Sequence, residues 1–282
     1  MQLSIITCTC NSAEYLQECV DSVIAQNLDH TIFEHIFVDW ESADDTLSII
    51  KKYKIEFPDW NIHVISRKKR WIYNAFNEGI KQAKGEYILF LNSDDFLNPN
   101  ILNLYLQYVQ KTGEMDIYFG WLQIFSQNTQ KFRLPLLSRL FYPFWLNKYL
   151  LGISYYVAQP AVLEKKSVLI EYGYFNEDFS IVSDLEHYIK ISWKVSSQYY
   201  PVFVSNFREH DQSTSAWLLR FTSQKEIQIL FWNHYSFLYW RICLLLYSVY
   251  YSHFLWNFIR SRGRKKNDLC KDEYRNLGAS QK

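Results

Sequence analysis

The stretch Tyr87-Ile88-Leu89-Phe90-Leu91-Asn92-Ser93-Asp94-Asp95 decides the fold of this chain. Its five leading apolar residues form a run that is too short for a typical helix and is typical of a strand buried on both faces. An amide, a hydroxyl and two carboxylates follow at the carboxyl end of this strand. Carboxylates this close repel each other unless a cation lies between them, and such oxygen ligands suit Mg²⁺ or Mn²⁺. The alternative is a strand followed by a polar turn, with Asp95 as a helix N-cap.

Strands are predicted to begin near residues 3, 32, 62 and 87, a repeat of about thirty residues. Apolar residues at helical spacing lie between successive strands, so each repeat has the length and pattern of a β-α-β unit. Four such units predict an α/β fold with an open, mostly parallel sheet and helices on both faces. Ligands of such sheets bind beyond the carboxyl ends of the strands. Four polar segments should therefore converge on one cleft: Thr7 to Asn11, Asp39 to Asp45, Ser66 to Arg70 and Asn92 to Asp95.

The composition argues against several other classes of protein. With 30 basic and 29 acidic residues the chain is nearly neutral, so its overall charge predicts no nucleic-acid partner. The five cysteines form no zinc or redox pattern, and their odd number favours a reducing compartment. No Gly-rich loop of the dinucleotide or P-loop type follows the first strand. The N-terminus shows no signal-peptide pattern, so a cytoplasmic location is expected.

The second half of the chain contains two apolar segments that break the regular alternation. Residues 134–157 are strongly apolar and aromatic, which is compatible with core packing, a mobile flap or an acceptor surface. Residues 227–259 are again nearly all apolar or aromatic, and a basic cluster follows at 260–266. The favoured interpretation of 227–266 is an interfacial helix or helical hairpin on an anionic membrane surface. An oligomerising helix, which would make the chain a homo-oligomer, and plain core packing are the alternatives.

Five motifs, taken in order, resemble family 2 glycosyltransferases of the GT-A fold over roughly residues 1–215. The matching segments are Ser4-Ile5-Ile6-Thr7 with Asn11, Asp21 to Gln26, Val38-Asp39 with Ser42, Asp44 and Thr46, Ile72 to Ile80, and Leu91 to Asp95. The resemblance implies a GT-A type, Rossmann-like α/β domain with a nucleotide-sugar-binding half, 1–115, and an acceptor half, 116–215. An apolar and aromatic helical extension, 216–266, and a polar tail, 267–282, would follow.

The resemblance also implies a reaction and roles for individual residues. A nucleotide-diphosphate sugar would be the donor, a saccharide or lipid-linked saccharide the acceptor, and Mn²⁺ or Mg²⁺ the metal on the donor diphosphate. Asp94 and His210 would bind the metal, and Asp184 would be the general base of an inverting displacement, with Glu186 as the second choice. Such an enzyme would serve cell-surface polysaccharide biosynthesis on the cytoplasmic face of the membrane. The donor-binding residues would be Thr7, Asn11, Asp39, Arg67, Asn74, Asn92 and Ser93.

The sequence also departs from the family pattern. Trp40, Glu41 and Asp45 replace glycines, so the loop after the second strand cannot adopt the same backbone conformations as cheaply. Four consecutive basic residues occupy 67–70, where the family usually has an acid near position 69, and Asn92 replaces the first Asp of the metal motif. Two alternatives therefore stay open. One is a nucleotidyltransferase, which usually needs a Gly-rich loop after the first strand, and the other is a non-catalytic protein that keeps the fold.

Overall fold

The computed structural model describes residues 2–68, 71–133, 157–210 and 222–236, and a nine-stranded sheet is its central feature. The first half of this sheet consists of β1 (Leu3–Thr9), β2 (Phe33–Asp39), β3 (Asn61–Ser66) and β4 (Tyr87–Phe90). These strands are all parallel and lie in the order β3-β2-β1-β4. The predicted β-α repeat is thus confirmed, and the carboxyl ends of these four strands share one edge of the sheet.

Helices cover both faces of this parallel half. The connecting helices are α1 (Ala13–Ile24), α2 (Thr46–Glu56) and α3 (Ile72–Gln82). Adjacent residues of a strand point to opposite faces, so the neighbours Ile5 and Ile6 enter different cores. Ile5 packs in one core with Leu16 of α1, and Ile6 packs in the other with Phe76 of α3.

Two glycines let α3 and the turn after it lie close to β1. A Cβ at Gly79 would lie 2.5 Å from Cγ2 of Ile6, and a Cβ at Gly85 would lie 2.4 Å from the backbone nitrogen of Ser4. Both distances are shorter than a normal van der Waals contact, so a side chain at either position would push this segment away from the sheet. The close packing matters for the site, because α3 begins at the carboxyl edge of the sheet.

The second half of the sheet is mixed rather than parallel. It contains β5 (Phe96–Leu97), β6 (Ile117–Ser126), β7 (Lys131–Arg133), β8 (Val162–Lys165) and β9 (Ser197–Glu209). The full order is β3-β2-β1-β4-β8-β6-β9-β5, with β7 beside β6. Strand β8 is antiparallel to both β4 and β6, whereas β6 and β9 are parallel. Among the described residues up to 210, the other helical elements are α4 (Ile101–Thr112), a 3-10 turn (Gln159–Ala161), α5 (Lys166–Glu171) and α6 (Ser183–Ile191).

A further helix, α7 (Thr222–His234), belongs to the same compact unit, which extends to His234. Ile227, Leu230 and Phe231 of α7 are buried, so this helix is anchored by apolar packing. Within the predicted extension, 216–266, residues 222–234 are therefore helical, and the helix packs through these three side chains. The domain boundaries at residues 215 and 266 stay predictions.

Much of the two apolar segments lies outside the described residues. These parts are 134–156 and 237–282, the latter including the basic cluster at 260–266. Of the segment 227–266, for which a membrane-facing role is predicted, the structure describes only residues 227–236. In the part of the chain that the structure describes, no helix combines the length and the apolar composition that crossing a bilayer would require.

Candidate active site

Asp39 lies buried at the carboxyl edge of the sheet, where β2 ends. Its Oδ1 accepts hydrogen bonds from the hydroxyls of Thr9 (2.8 Å) and Ser42 (2.6 Å), and its Oδ2 accepts one from the backbone N–H of Ser42 (3.0 Å). Thr9 lies in the predicted segment Thr7 to Asn11 but is not among the residues predicted to bind the donor. It lies beside Asp39 because the parallel register pairs these two residues at the ends of β1 and β2. The Asp39 carboxylate is therefore held in one orientation by three donors.

The loops after β1 and β2 are joined to each other by further hydrogen bonds. The backbone N–H of Asn11 donates to Ser42 Oγ (2.9 Å), and Asn11 Oδ1 accepts from the backbone N–H of Ala43 (2.8 Å). Asn11 and Glu41 both have left-handed backbones, with φ of 50° and 47°. Glu41 replaces a family glycine, so the loop takes up the left-handed conformation there with a residue that adopts it less readily.

Thr7 lies inside the sheet, two residues before the end of β1. It is fully buried, and its hydroxyl lies 2.9 Å from Nε2 of His35 on β2. Burial lowers the pKa of His35 to about 3, so this imidazole is neutral at physiological pH. Residues 7 and 9 point to the same face of β1, and the later one reaches the edge. The donor-binding role of Thr7 stays a prediction.

Asp94 and His210 meet at the same edge of the sheet. Asp94 follows β4, His210 follows β9, and Asp94 Oδ2 lies 3.1 Å from His210 Nε2. The imidazole is packed against Tyr15 of α1, with ring centroids 4.5 Å apart. The side chain of Asp94 keeps 29% of its surface exposed, so its carboxylate is accessible to a ligand.

A carboxylate oxygen beside an imidazole nitrogen fits a divalent metal such as Mn²⁺. Among the described residues, no group of three His, Cys, Asp or Glu side chains could hold an ion. Asp94 and His210 would thus supply two ligands, and substrate phosphates and water would supply the others, as is common for Mg²⁺ in phosphate-binding sites.

Asp95 has a different environment from Asp94. It is fully buried and accepts hydrogen bonds from Asn92 Nδ2 (2.9 Å) and from the backbone N–H of Arg208 (2.9 Å). Burial, and after it the charge of Asp94, raises the pKa of the Asp95 carboxyl well above its usual value. Strand β5 follows Asp95, so the alternative of a helix N-cap at this position is wrong. The amide nitrogen of Asn92 is engaged inside the protein, and a contact of Asn92 with the donor stays a prediction.

Arg208 joins the strands that carry Asp94 and His210, and sequence reasoning missed it. Its guanidinium is buried and donates to the backbone carbonyl of Asp94 (2.8 Å), to Oε1 of Gln127 (2.6 Å) and to the carboxylate of Glu18. Three aromatic rings surround it at cation–π distance, those of Tyr15 (5.1 Å), Phe96 (5.1 Å) and Phe125 (5.3 Å). No spacing in the sequence signals this role, because the partners come from three separate segments, residues 15–18, 94–96 and 125–127.

Asp184 lies in the first turn of α6, where the helix dipole favours a negative charge. Its Oδ1 accepts a hydrogen bond from the backbone N–H of Leu185 (2.8 Å) and lies 2.9 Å from the hydroxyl of Tyr73 on α3. That hydroxyl also lies 2.5 Å from the carbonyl oxygen of Ile181. Burial, and after it the charge of Asp184, raises the pKa of Tyr73 well above its usual value, so Tyr73 stays protonated. Tyr73 can therefore orient the Asp184 carboxylate.

Glu186 faces a different environment from Asp184. Its Oε1 lies 3.4 Å from Nε2 of His234 on α7. It also lines a cavity of about 380 Å³ between α3, α6 and the loop before α6, together with Asn77, Lys81, Gly173, Tyr174, Phe175, Asn176, Glu177 and Lys190.

The other predicted donor-binding residues are engaged with protein groups. Asn74 donates to Glu177, and its Oδ1 accepts from the backbone N–H of Trp71 (3.2 Å) at the start of α3. Arg67 is half-exposed at the end of β3, with Nε 3.6 Å from Glu78 Oε2. Ser93 donates to the hydroxyl of Ser12 (2.8 Å), which ties the end of β4 to the loop after β1. Residues 69–70 of the basic run lie outside the described part of the chain.

The family of the chain follows from comparison with known proteins. A family model described as Glycosyl transferase family 2 matches residues 4–171, more than half of the chain. The chain therefore belongs to glycosyl transferase family 2, as the motifs predict. It is similar to the poly(ribitol-phosphate) beta-glucosyltransferase of Bacillus spizizenii, with 35% identity over 125 residues that cover 44% of this chain and 19% of the relative. The chain thus spans about a fifth of that relative's length.

Solved structures share the fold. The structure of Staphylococcus aureus TarS 1-349 in complex with UDP-GlcNAc matches with a TM-score of 0.66 and 20% identity, over 86% of this chain and 70% of that one. The mannosyltransferase PcManGT from Pyrobaculum calidifontis, in complex with GDP-Man and Mn²⁺, matches with a TM-score of 0.63 and 18% identity, over 82% of this chain and 63% of that one. At these identities the likeness shows a common fold, which agrees with the predicted GT-A type architecture.

Proposed function

We propose that this chain is a metal-assisted, inverting glycosyltransferase. It would transfer a sugar from a nucleotide-diphosphate sugar to a hydroxyl of a saccharide or lipid-linked saccharide in cell-surface polysaccharide biosynthesis. The observation that supports this most directly is the position of the Asp94–His210 pair at the same sheet edge as the buried Asp39. Family membership supports the reaction class. The relative from Bacillus spizizenii is a poly(ribitol-phosphate) glucosyltransferase, and the two solved structures contain the nucleotide sugars UDP-GlcNAc and GDP-Man.

The donor would occupy the carboxyl edge of the sheet. Asp39, fixed by Thr9 and Ser42, would accept hydrogen bonds from the nucleoside. Asp94 and His210 would hold Mn²⁺ or Mg²⁺ on the diphosphate, and the metal would neutralise the charge that develops as the nucleoside diphosphate leaves. Arg208 would keep these two ligands aligned, because it binds the Asp94 backbone and lies in β9, the strand that His210 follows.

Asp184 would be the general base. Its carboxylate would take the proton of the acceptor hydroxyl while the acceptor oxygen bonds to the anomeric carbon and the bond from that carbon to the diphosphate breaks. A single displacement of this kind inverts the anomeric configuration. The protonated Tyr73 hydroxyl and the Leu185 N–H would hold Oδ1, so that the carboxylate keeps one orientation. Glu186, beside His234, is the second choice for the base.

Association with the cytoplasmic face of a membrane through residues 227–266 is part of the proposal. On α7, the side chains of Ile229 and Trp232 are three residues apart and are 52% and 63% exposed. An exposed isoleucine and an exposed tryptophan on the outer face of α7 support contact with a lipid surface or with a lipid-linked acceptor. A homo-oligomer that uses the same face is the alternative.

A panel of UDP- and GDP-sugars, offered with saccharide acceptors in membrane extracts, tests the proposed function. We expect transfer from at least one donor in the presence of Mn²⁺, and its loss after chelation. Absence of turnover of every donor would contradict the proposal. A non-catalytic protein would also show no metal-dependent thermal stabilisation by nucleotide diphosphates. Release of pyrophosphate from a nucleoside triphosphate would instead indicate a nucleotidyltransferase.

A further inference from the structure

Glu226 of α7 binds the loop that leads into α6. Its side chain is buried, with 8% of the residue exposed. Oε1 accepts hydrogen bonds from the backbone N–H of Ser180 (2.8 Å) and from the Ser180 hydroxyl. Oε2 accepts from the backbone N–H groups of Ile181 (3.0 Å) and Val182 (3.3 Å). One carboxylate therefore binds four donors from three consecutive residues.

These donors lie at the amino end of α6. Val182 is the N-cap of this helix and makes no capping hydrogen bond with its own side chain. The N–H groups at a helix start have no partner within the helix and must find one elsewhere. Glu226 supplies that partner for the N–H of Val182 and also binds the N–H groups of the two residues before it, and its negative charge complements the positive end of the helix dipole.

The loop is also held by α3. The Tyr73 hydroxyl lies against the carbonyl oxygen of Ile181 and against Oδ1 of Asp184. Glu226 binds the N–H of the same Ile181. The peptide groups just before Asp184 are thus fixed by a carboxylate on one helix and a phenol on another.

Apolar packing, rather than Glu226, accounts for the attachment of α7. Ile227, Leu230 and Phe231 are 2%, 0% and 1% exposed, so the helix has its own apolar anchor. A carboxylate is therefore not required for docking the helix. Burying it among backbone donors gives the loop a defined position.

We infer that Glu226 is a positioning residue for sugar transfer, acting through residues 180–182 on the orientation of Asp184. The inference rests on the proposed function, in which Asp184 is the general base. It assigns to α7, which lies beyond the predicted catalytic domain 1–215, a part in the chemical step.

The test uses Glu226→Gln in the full chain. The amide replaces one acceptor oxygen by an NH₂ donor that would face N–H groups of the loop, so the loop should shift. A misplacement of about 1 Å can cost about 100-fold in rate. We expect kcat for transfer to fall by about this factor, while the dissociation constant of the donor, measured by calorimetry, changes less than about twofold because α7 contributes none of the proposed donor contacts.

Glu34→Gln is the matched control. Glu34 is also a buried carboxylate, and it accepts from the Ser4 hydroxyl (2.6 Å) and from the N–H groups of Lys84 and Gly85. It lies at the amino end of β2, five residues before Asp39 and so about 16 Å from the active edge. We expect this variant to lose thermal stability and to keep a kcat close to that of the wild type. An equal loss of kcat in both variants would mean that Glu226 acts through general stability, and would overturn the inference.

The double variant Asp184→Asn/Glu226→Gln separates the inference from the proposed function. We expect it to be as inactive as Asp184→Asn alone, because Glu226 would act through Asp184. If Asp184→Asn kept wild-type transfer, the proposed base would be wrong. If Asp184→Asn were inactive while Glu226→Gln kept wild-type kcat, or if the two losses were additive, only the inference would fail.

Should Glu226→Gln not fold, Ser180→Ala removes one of the four donors, and a wild-type kcat in that variant would overturn the inference.

Discussion

Replacing Arg208 with Lys tests whether one guanidinium holds the candidate metal site together. The substitution keeps the positive charge. It replaces a planar guanidinium, whose N–H donors point in fixed directions, with a compact ammonium group. The guanidinium reaches the Asp94 carbonyl, the Gln127 side chain and the Glu18 carboxylate in three different directions. An ammonium at the end of a flexible stem cannot reach all three.

The expected loss of stability follows from the hydrogen bonds that Arg208 makes and from the exposure of its ion-pair partner. A hydrogen bond from a charged donor contributes about 1.5–3 kcal/mol, and the variant should lose at least one of the bonds to Asp94 and Gln127. Glu18 is 54% exposed, so its ion pair adds only about 0–1 kcal/mol. The free energy of unfolding should therefore fall by about 1.5–4 kcal/mol. Arg67→Lys, at an arginine whose side chain is 53% exposed, is the control and should change it by less than about 0.5 kcal/mol.

Urea unfolding monitored by circular dichroism gives the stability change, and calorimetry with Mn²⁺ and a nucleoside diphosphate gives the effect on the site. We expect Arg208→Lys to weaken metal-dependent nucleotide binding under conditions in which the protein is still folded, because the backbone of Asp94 loses its support. A stability loss no greater than that of Arg67→Lys, together with unchanged nucleotide binding, would refute the reasoning.

The remaining predictions address single roles. Asp94→Ala should weaken metal-dependent donor binding by more than about tenfold, because a charged ligand is lost; unchanged affinity in calorimetry would rule out Asp94 as a ligand. Asp184→Asn should keep donor binding and lower transfer by about 10²–10⁴-fold, because the amide cannot accept the acceptor proton; full activity would place the base elsewhere. Burial lowers the pKa of His35 from an ordinary 6.5 to about 3. The folded protein therefore keeps the full stability of the buried neutral imidazole above pH 6.5. This contribution declines as the pH falls from 6.5 towards 3, because the unfolded chain takes up the proton first. His35→Gln should make the free energy of unfolding less sensitive to pH across that window; identical pH dependence in urea titrations of both proteins would contradict this.

The sequence by itself determined the parallel half of the sheet. Apolar runs of strand length, separated by helical periodicity, encode β1 to β4 locally, and short connections leave few ways to arrange them. The family motifs, including Leu91 to Asp95, could be recognised for the same reason, since each is contiguous in the chain. The family resemblance also predicted a metal pair formed by Asp94 and His210, which lie 116 residues apart and meet in the structure.

Only the tertiary structure decided which side chains surround these groups. Thr7 and Thr9 are equivalent in the sequence pattern, yet the register of β1 with β2 places Thr9 beside Asp39 and buries Thr7 against His35. Strand β8 enters the sheet antiparallel, which no local pattern predicts. Arg208 and Glu226 find their partners across separations of up to 190 and 46 residues. Local periodicity specifies the elements, whereas contacts over such separations depend on how the elements pack, and packing is a property of the whole fold.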